Sequence, residues 1–101
     1  MPRRIHVIER LKNFSRVEGD VFESGLWDVS LTRAEELVGG DIYFHQKQKE
    51  PSYFGGKILG FRVHDGDDEY RGRLIFRFEY SRAHKEVLAG DGGWSYEKKI
   101  I

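Results

Sequence analysis

The sequence predicts a small β-rich α+β domain, a mostly antiparallel barrel with one or two short helices. Three observations support this. Twelve glycines and only two prolines divide the 101 residues into short segments. Several segments alternate apolar and polar side chains, as strands do, and only one has clear helix caps. Many short strands favour a barrel or a bent sheet, because closure hides strand edges. The length predicts a single domain over residues 1–101.

Alternation and β-branched composition place the strands. Ile42 and Phe44 share one face of a short strand, and in the clearest strand Arg77 and Glu79 face away from the core. The charged segment HDGDDEYRG has an Asp-Gly dipeptide and predicts a hairpin between two antiparallel neighbours. The predicted strands are residues 5–8, 26–29, 42–45, 57–64 and 73–80, with 96–101 as a candidate closing strand. In the 57–64 strand we expect Leu59, Phe61 and Val63 on one face, opposite Ile58, Gly60, Arg62 and His64.

One helix is expected between the second and third predicted strands. Thr32 and Glu35 fit a capping box, and Ser30 is a competing N-cap. Gly39 or Gly40 supplies the left-handed residue that ends the helix after about two turns. Residues 82–88 are a second candidate helical turn, and residues 13–25 are predicted to be a long connection. The apolar helical face consists of Leu31, Ala34, Leu37 and Val38.

Composition excludes several classes of function. Lys plus Arg equals Asp plus Glu at 17 each, which argues against binding nucleic acid by bulk charge but leaves room for a local basic groove. There is no cysteine for a disulfide, a thiolate nucleophile or a Cys zinc site. No segment approaches the ~18 apolar residues of a membrane span, and the basic N-terminus lacks the apolar run of a signal peptide. The expectation is a cytoplasmic protein without membrane contact.

The order of elements carries a family resemblance. A tryptophan strand (GLWDV) precedes a capped helix (LTRAEELV), and a Gly40-Asp41 turn begins an apolar strand that ends in histidine (GGDIYFH). A polar loop follows, then a strand that begins with glycine (GGKILGFRV) and a further strand (RLIFRFEY). Over residues 26–80 this resembles the PUA-like superfamily, the pseudobarrels that include PUA, EVE, ASCH and YTH domains. The resemblance implies a small pseudobarrel, and some ASCH-type relatives are hydrolases of modified nucleosides.

The stretch GGDIYFHQKQKEPSYFGG is the candidate site, because a strand does not need such a polar and aromatic run in order to end. Its polar side chains offer hydrogen bonds to a base edge, and its aromatic rings offer stacking faces. The alternative is a solvated loop whose aromatic side chains cover the core. One of the two tryptophans is expected to stack on the ligand, although both also suit core packing. The candidate ligand-binding residues are Trp27, His45, Gln46, Lys47, Gln48, Lys49, Ser52, Tyr53, Lys57 and Trp94.

Catalytic and metal motifs are missing from the sequence. The four histidines, His6, His45, His64 and His84, lack the i, i+4 spacing of a helical metal site. The acidic run after His64 lacks the distal Glu of an EF-hand and reads as a hairpin tip. No GxSxG elbow or phosphate-binding glycine loop is present. We therefore expect no catalytic residue, no metal and no cofactor.

Three hypotheses about function follow. The first is a binding domain for RNA, DNA or a modified nucleobase, with Lys47, Lys49 and Lys57 holding phosphate. The second is a small hydrolase of a modified nucleoside, in which His45 or Glu50 acts beside a lysine. The third is a protein-interaction module with a protein partner. The sequence leaves the oligomeric state open.

Overall fold

The computed structural model describes residues 3–10, 14–90, 92–94 and 98–101. These residues form a single seven-stranded sheet and one α-helix, so the predicted β-rich α+β class is confirmed. The strand order across the sheet is β2-β3-β6-β5-β4-β1-β7. The elements are β1 (Arg4–Ile8), β2 (Phe14–Glu18), β3 (Val21–Trp27), α1 (Leu31–Leu37), β4 (Asp41–His45), β5 (Phe54–Val63), β6 (Leu74–Tyr80) and β7 (Lys98–Ile100).

The strands pair antiparallel with one exception. β1 runs parallel to β4, and in that register His6 lies opposite Tyr43 and Ile8 opposite His45. β2 and β7 are the edges, and no pairing between them closes the sheet within the described ranges. The parallel pair was not predicted, because adjacent short strands were expected to meet antiparallel.

One face of the sheet carries the apolar core. Phe44 and Phe78 are fully buried, and α1 lays Ala34 and Leu37 into the same cluster. The ring of Phe14, on the edge strand β2, stacks on Phe54 at 4.7 Å between centroids. Phe14 also lies 5.3 Å from Phe44 of β4, although the strands β3, β6 and β5 separate β2 from β4 in the sheet. The sheet therefore curls, and aromatic contacts join its distant strands.

The helix begins at a different cap from the predicted capping box. Ser30 is the N-cap, and its Oγ accepts a hydrogen bond from the Arg33 N–H at 3.2 Å. Gly39 follows with φ 85°, the predicted left-handed stop. Leu31 and Val38, expected on the apolar face, are exposed. Within the described ranges, no helix has the length and apolar character needed to span a membrane.

The predicted long connection at 13–25 is wrong. Apart from residue 13, which lies outside the described residues, this region holds β2 and most of β3, which pair as a hairpin across Gly19 and Asp20. The strand predicted at 26–29 instead ends at Trp27. The sequence of β2 did not indicate a strand, because most of its side chains are exposed and an edge strand can form with few apolar residues.

β5 does not keep the predicted alternation. Its pairing with β6 shifts register between Ile58 and Gly60, a β-bulge that exchanges the two faces. Ile58 is buried, and the bulge after it separates Leu59 from the face of Phe61. Leu59 and Val63, expected to share a face with Phe61, are exposed. The strand also begins three residues earlier than predicted, at Phe54.

The later elements match the prediction more closely. β6 buries Leu74, Phe76 and Phe78, and the charged hairpin joins it antiparallel to β5 as predicted. The second helical turn is limited to a 3-10 turn at Arg82–His84. The candidate closing strand forms β7, antiparallel to β1, but β7 is an edge of the sheet and does not close it within the described ranges. Residues 96 and 97 of the predicted range lie outside the described residues.

Two glycines of β5 give a matched test of the packing. A Cβ on Gly56 would overlap the Glu79 carbonyl oxygen of β6, whereas a Cβ on Gly60 would meet nothing within 4 Å. We expect Gly56→Ala to lower the free energy of unfolding by at least about 2 kcal/mol. Gly60→Ala should be neutral or stabilising by roughly 0.4–1 kcal/mol. Urea denaturation measures both, and equal effects would contradict this packing.

Candidate functional site

A buried polar layer covers the face of β1 and β4 opposite the apolar core. It consists of His6, Tyr43, His45 and His84. The Tyr43 ring stacks on His6 at 4.6 Å and on His84 at 5.0 Å between centroids. His6 and His45 are 2% and 0% exposed. The parallel register of β1 and β4 brings the polar side chains of the two strands together, because it places His6 opposite Tyr43.

The hydrogen bonds of the layer fix the protons on its histidines. The Glu50 carbonyl oxygen can only accept, so His45 Nδ1 carries the hydrogen of their 2.8 Å contact. In a neutral ring His45 Nε2 is then an acceptor, and His6 Nδ1 donates to it at 2.8 Å. Both nitrogens of His45 are therefore engaged inside the protein. The imidazole ties the loop after β4 back to the sheet.

Burial sets the charge of the two histidines. Desolvation, the nearby His45, and the cations Lys99 and Arg4 lower the pKa of His6 from 6.5 to about 4. Desolvation also lowers the pKa of His45, against the opposing effect of its bond to Glu50. Both rings are neutral at pH 7, which agrees with the proton assignment above.

The segment after β6 lies over the polar layer. We call residues 84–90 and 92–94 the cover segment. His84 Nε2 donates to Asp41 Oδ1 at 2.8 Å, and the Trp94 ring meets His45 edge-on at 5.8 Å. The Trp94 indole N–H and His84 Nδ1 are buried without hydrogen-bond partners among the residues the structure describes. Lys99 Nζ donates to the Ala89 carbonyl at 2.7 Å and holds the middle of the segment.

Ser52 fastens the cover segment to the loop after β4. Its Oγ donates to the His84 carbonyl at 2.7 Å and accepts from the Val87 N–H at 2.9 Å. Its backbone N–H donates to the Val87 carbonyl, and its carbonyl accepts from the Glu86 N–H. Ser52 is 2% exposed. The candidate ligand residue Ser52 thus uses its hydroxyl within the fold.

A surface depression lies between these two segments. It measures about 330 Å³, near the lower end of small-ligand sites, and is walled by Gln48 and Lys49 on one side. The other wall is formed by Leu88, Ala89 and Gly90, and the side chain of Leu88 is 66% exposed. The depression therefore joins a cation, an amide and an apolar surface.

The structure separates the remaining candidate residues. Trp27 ends β3 and packs against the core, with its Nε1–H donated to Ser24 Oγ at 3.1 Å. Tyr53 also packs against the core, its hydroxyl donates to the Glu9 carbonyl, and burial raises its pKa to about 12. Lys57 is exposed on β5 opposite Asp41.

The first residues of the 46–50 loop are tied to the protein or to each other. The Gln46 carbonyl accepts from Arg10 Nε at 3.0 Å, and Lys47 lies 4.0 Å from a Glu50 carboxylate oxygen. Of the ten candidates, only Gln48 and Lys49 line the depression, and His45, Ser52 and Trp94 hold its two walls in place.

The sequence pattern does not indicate His6, Tyr43 and His84 as parts of the site. His6 and His45 are 39 residues apart, and only the unpredicted parallel pairing brings them together. The alternation of Tyr43 with His45 on one strand face was the available signal. The described residues hold no group of three or more His, Asp or Glu side chains placed to bind a metal ion.

Comparisons with protein-family models, curated proteins and solved structures found no match to this chain. The resemblance to PUA-like pseudobarrels therefore stays a prediction from the sequence.

The polar layer predicts a loss of stability in mild acid. A histidine whose folded pKa is below its unfolded pKa leaves the unfolded state with more bound protons between the two values. The contribution of neutral His6 to the free energy of unfolding is thus fully present above about pH 6.5 and is lost as the pH falls towards 4. We expect His6 alone to cost about 2 kcal/mol between pH 7 and pH 5, measured by urea denaturation.

His6→Asn tests the source of that loss, because the asparagine amide retains a donor towards His45 but does not titrate. The variant should lose most of the His6 share of the pH dependence. His64→Asn removes a histidine outside the polar layer, so this control variant should retain the His6 share of the pH dependence. An unchanged pH profile in His6→Asn would contradict the assignment.

Ser52→Ala tests the attachment of the cover segment. It deletes both Oγ hydrogen bonds, so we expect a loss of roughly 1–3 kcal/mol and faster hydrogen exchange at the Val87 amide. Ser81 has no side-chain capping bond, so Ser81→Ala is the matched control and should cost little. Similar exchange rates at Val87 in the two variants would refute this role for Ser52.

Proposed function

We propose that this protein is a binding domain for nucleic acid or a modified nucleobase, held between the 46–50 loop and the cover segment. The observation that carries the proposal is the depression where Lys49 and Gln48 face the exposed Leu88. A nucleotide needs a cation for its phosphate, a donor and acceptor for its base edge, and an apolar surface for its face. The two walls of the depression supply all three within one small volume.

Trp94 is the stacking residue in this proposal. It belongs to the cover segment and rests edge-on against His45, whose Nδ1 is bonded to the Glu50 carbonyl of the 46–50 loop. Trp94 is half-buried and is not among the residues that line the depression, so the ligand must extend along the cover segment to stack on it. Trp27 and Tyr53 are less suitable, since both pack against the core and use their polar atoms there.

We infer that the fold is a PUA-like pseudobarrel. The Gly40-Asp41 turn supports this, because a Cβ on Gly40 would overlap the Arg3 carbonyl oxygen and only glycine fits between helix and β4. The turn is tied to β5 by hydrogen bonds from Gly39 N–H to the Ile58 carbonyl and from Ile58 N–H to the Gly40 carbonyl, both 2.9 Å. The curl of the sheet around Phe14 also supports it.

The hydrolase alternative has less support. A general base must reach the proton that it abstracts. His45 is fully buried and both of its nitrogens are engaged, while the Glu50 carboxylate lies beside Lys47 at the surface. His45 is therefore inaccessible to a substrate, and burial lowers its pKa.

Binding to short labelled single-stranded RNA and DNA, and to free modified nucleosides, tests the proposal by fluorescence anisotropy and Trp fluorescence. We expect affinity to fall with salt, and Lys49→Gln to reduce the log–log salt slope by about 0.7 per lost phosphate contact. Arg33→Gln removes one positive charge from the exposed side of α1 and should leave the slope unchanged.

A matched tryptophan pair tests stacking. Trp94→Leu should weaken binding by roughly 1–3 kcal/mol, about 5- to 150-fold, whereas Trp27→Leu should lower stability but not affinity. If no oligonucleotide or nucleoside binds at ~50 mM salt, where phosphate contacts are strongest, the proposed function fails.

A further inference from the structure

A charged cluster lies on the outer face of β3, β5 and β6, away from the depression described above. We call Glu23, Arg62 and Arg77 the arginine cluster. Arg62 Nε and Nη2 donate to the two Glu23 carboxylate oxygens at 3.3 and 3.2 Å. Arg77 Nη2 donates to Glu23 Oε2 at 3.2 Å. The bonds from Arg62 and Arg77 lower the pKa of Glu23, so the carboxylate is ionised at neutral pH.

The arginine cluster retains donors for a further ligand. Each guanidinium has five N–H groups, and Glu23 takes two from Arg62 and one from Arg77. The three residues of the cluster together carry a charge of +1, and the Asp65 carboxylate also acts on Arg62. The side chains of Arg62 and Arg77 are 59% and 49% exposed, so their outer N–H edges are accessible. Glu23 holds the two side chains in place.

Gly60 opens a space beside these donors. It lies directly opposite Arg77 in the β5–β6 register, immediately after the β-bulge. A Cβ on Gly60 would meet nothing within 4 Å, and its φ is not in the left-handed region. Among the residues that the structure describes, neither the φ of Gly60 nor contacts of a Cβ there require glycine. A depression of about 310 Å³ occupies the space and is lined by Glu23, Leu59, Gly60, Phe61, Arg62 and Arg77.

We propose that the depression over Gly60 is a phosphate-binding site, in which Arg62 and Arg77 contact the phosphate oxygens and the absent side chain of Gly60 admits the group. Paired guanidinium groups match phosphate oxygens bidentately. The carboxylates of Glu23 and Asp65 are the opposing charges acting on Arg62. Contacts from both arginines are therefore needed, because the two carboxylates repel a bound anion.

The phosphate group can belong to a free phosphorylated molecule or to a nucleic acid strand. The proposal does not depend on the function assigned to the first depression, because the two surfaces share no lining residue. A strand that also contacted the first depression would be an additional finding.

Amide NMR of the ¹⁵N-labelled chain tests the site with inorganic phosphate and pyrophosphate, against sodium chloride at matched ionic strength. We expect saturable shifts of the Gly60 and Arg62 amides with both probes and none with chloride. Arg77→Gln should weaken binding about tenfold or more, whereas Arg33→Gln, on α1, should not. Absence of saturable shifts, or equal weakening by the two variants, would overturn the proposal.

Gly60→Val separates site blocking from unfolding. Valine suits a strand and points into open space, so the variant should retain the stability of the parent while losing the phosphate shifts. A stable Gly60→Val variant that binds phosphate as well as the parent does would refute the site. Shifts by pyrophosphate but not by a single-stranded oligonucleotide would assign a free phosphorylated molecule, and shifts by both would admit the strand; either result supports the phosphate site.

Discussion

The parallel pairing of β1 with β4 is the constraint on which both faces of this sheet depend. It buries Ile5, Val7, Ile42 and Phe44 on the face that receives α1. On the other face the same register sets His6 opposite Tyr43 and beside His45. A shift by one residue would move every side chain to the wrong face, so the pairing is specified by both layers.

The polar layer replaces part of a second hydrophobic core. A chain of this length has limited apolar material, and a buried imidazole is less costly when its nitrogens find partners. His45 meets that requirement with a backbone carbonyl and His6. Such directional bonds hold the 46–50 loop and the cover segment in fixed positions, as nonspecific apolar contacts would not. The first depression exists because both of its walls are bonded to the sheet in this way.

Sequence reasoning succeeded where a local pattern decides the structure. The apolar alternation of β6, the hairpin after His64 and the glycine stop of α1 each depend on a few neighbouring residues. The sequence-based predictions failed where contacts between residues far apart in the chain determine the structure. The bulge immediately before Gly60 is set by pairing with β6. The edge strand β2 is stabilised by Phe14, which packs against strands far along the chain. The candidate site in the loop after Phe44 stays a prediction from the sequence, and the partners of His45 depend on a long-range register that no local pattern indicates.

The glycines of β5 show why residue type alone could not locate a site. Gly55 and Gly56 lie where any side chain would strike backbone, so their small size serves packing. Gly60 lies on the same strand, with open space above it and two arginines beside it. The sequence presents three equivalent residues, and only the register of β5 against β4 and β6 gives them different roles. Because packing and backbone conformation do not explain the glycine at position 60, access to the arginine cluster is the physical reason that the structure offers for it.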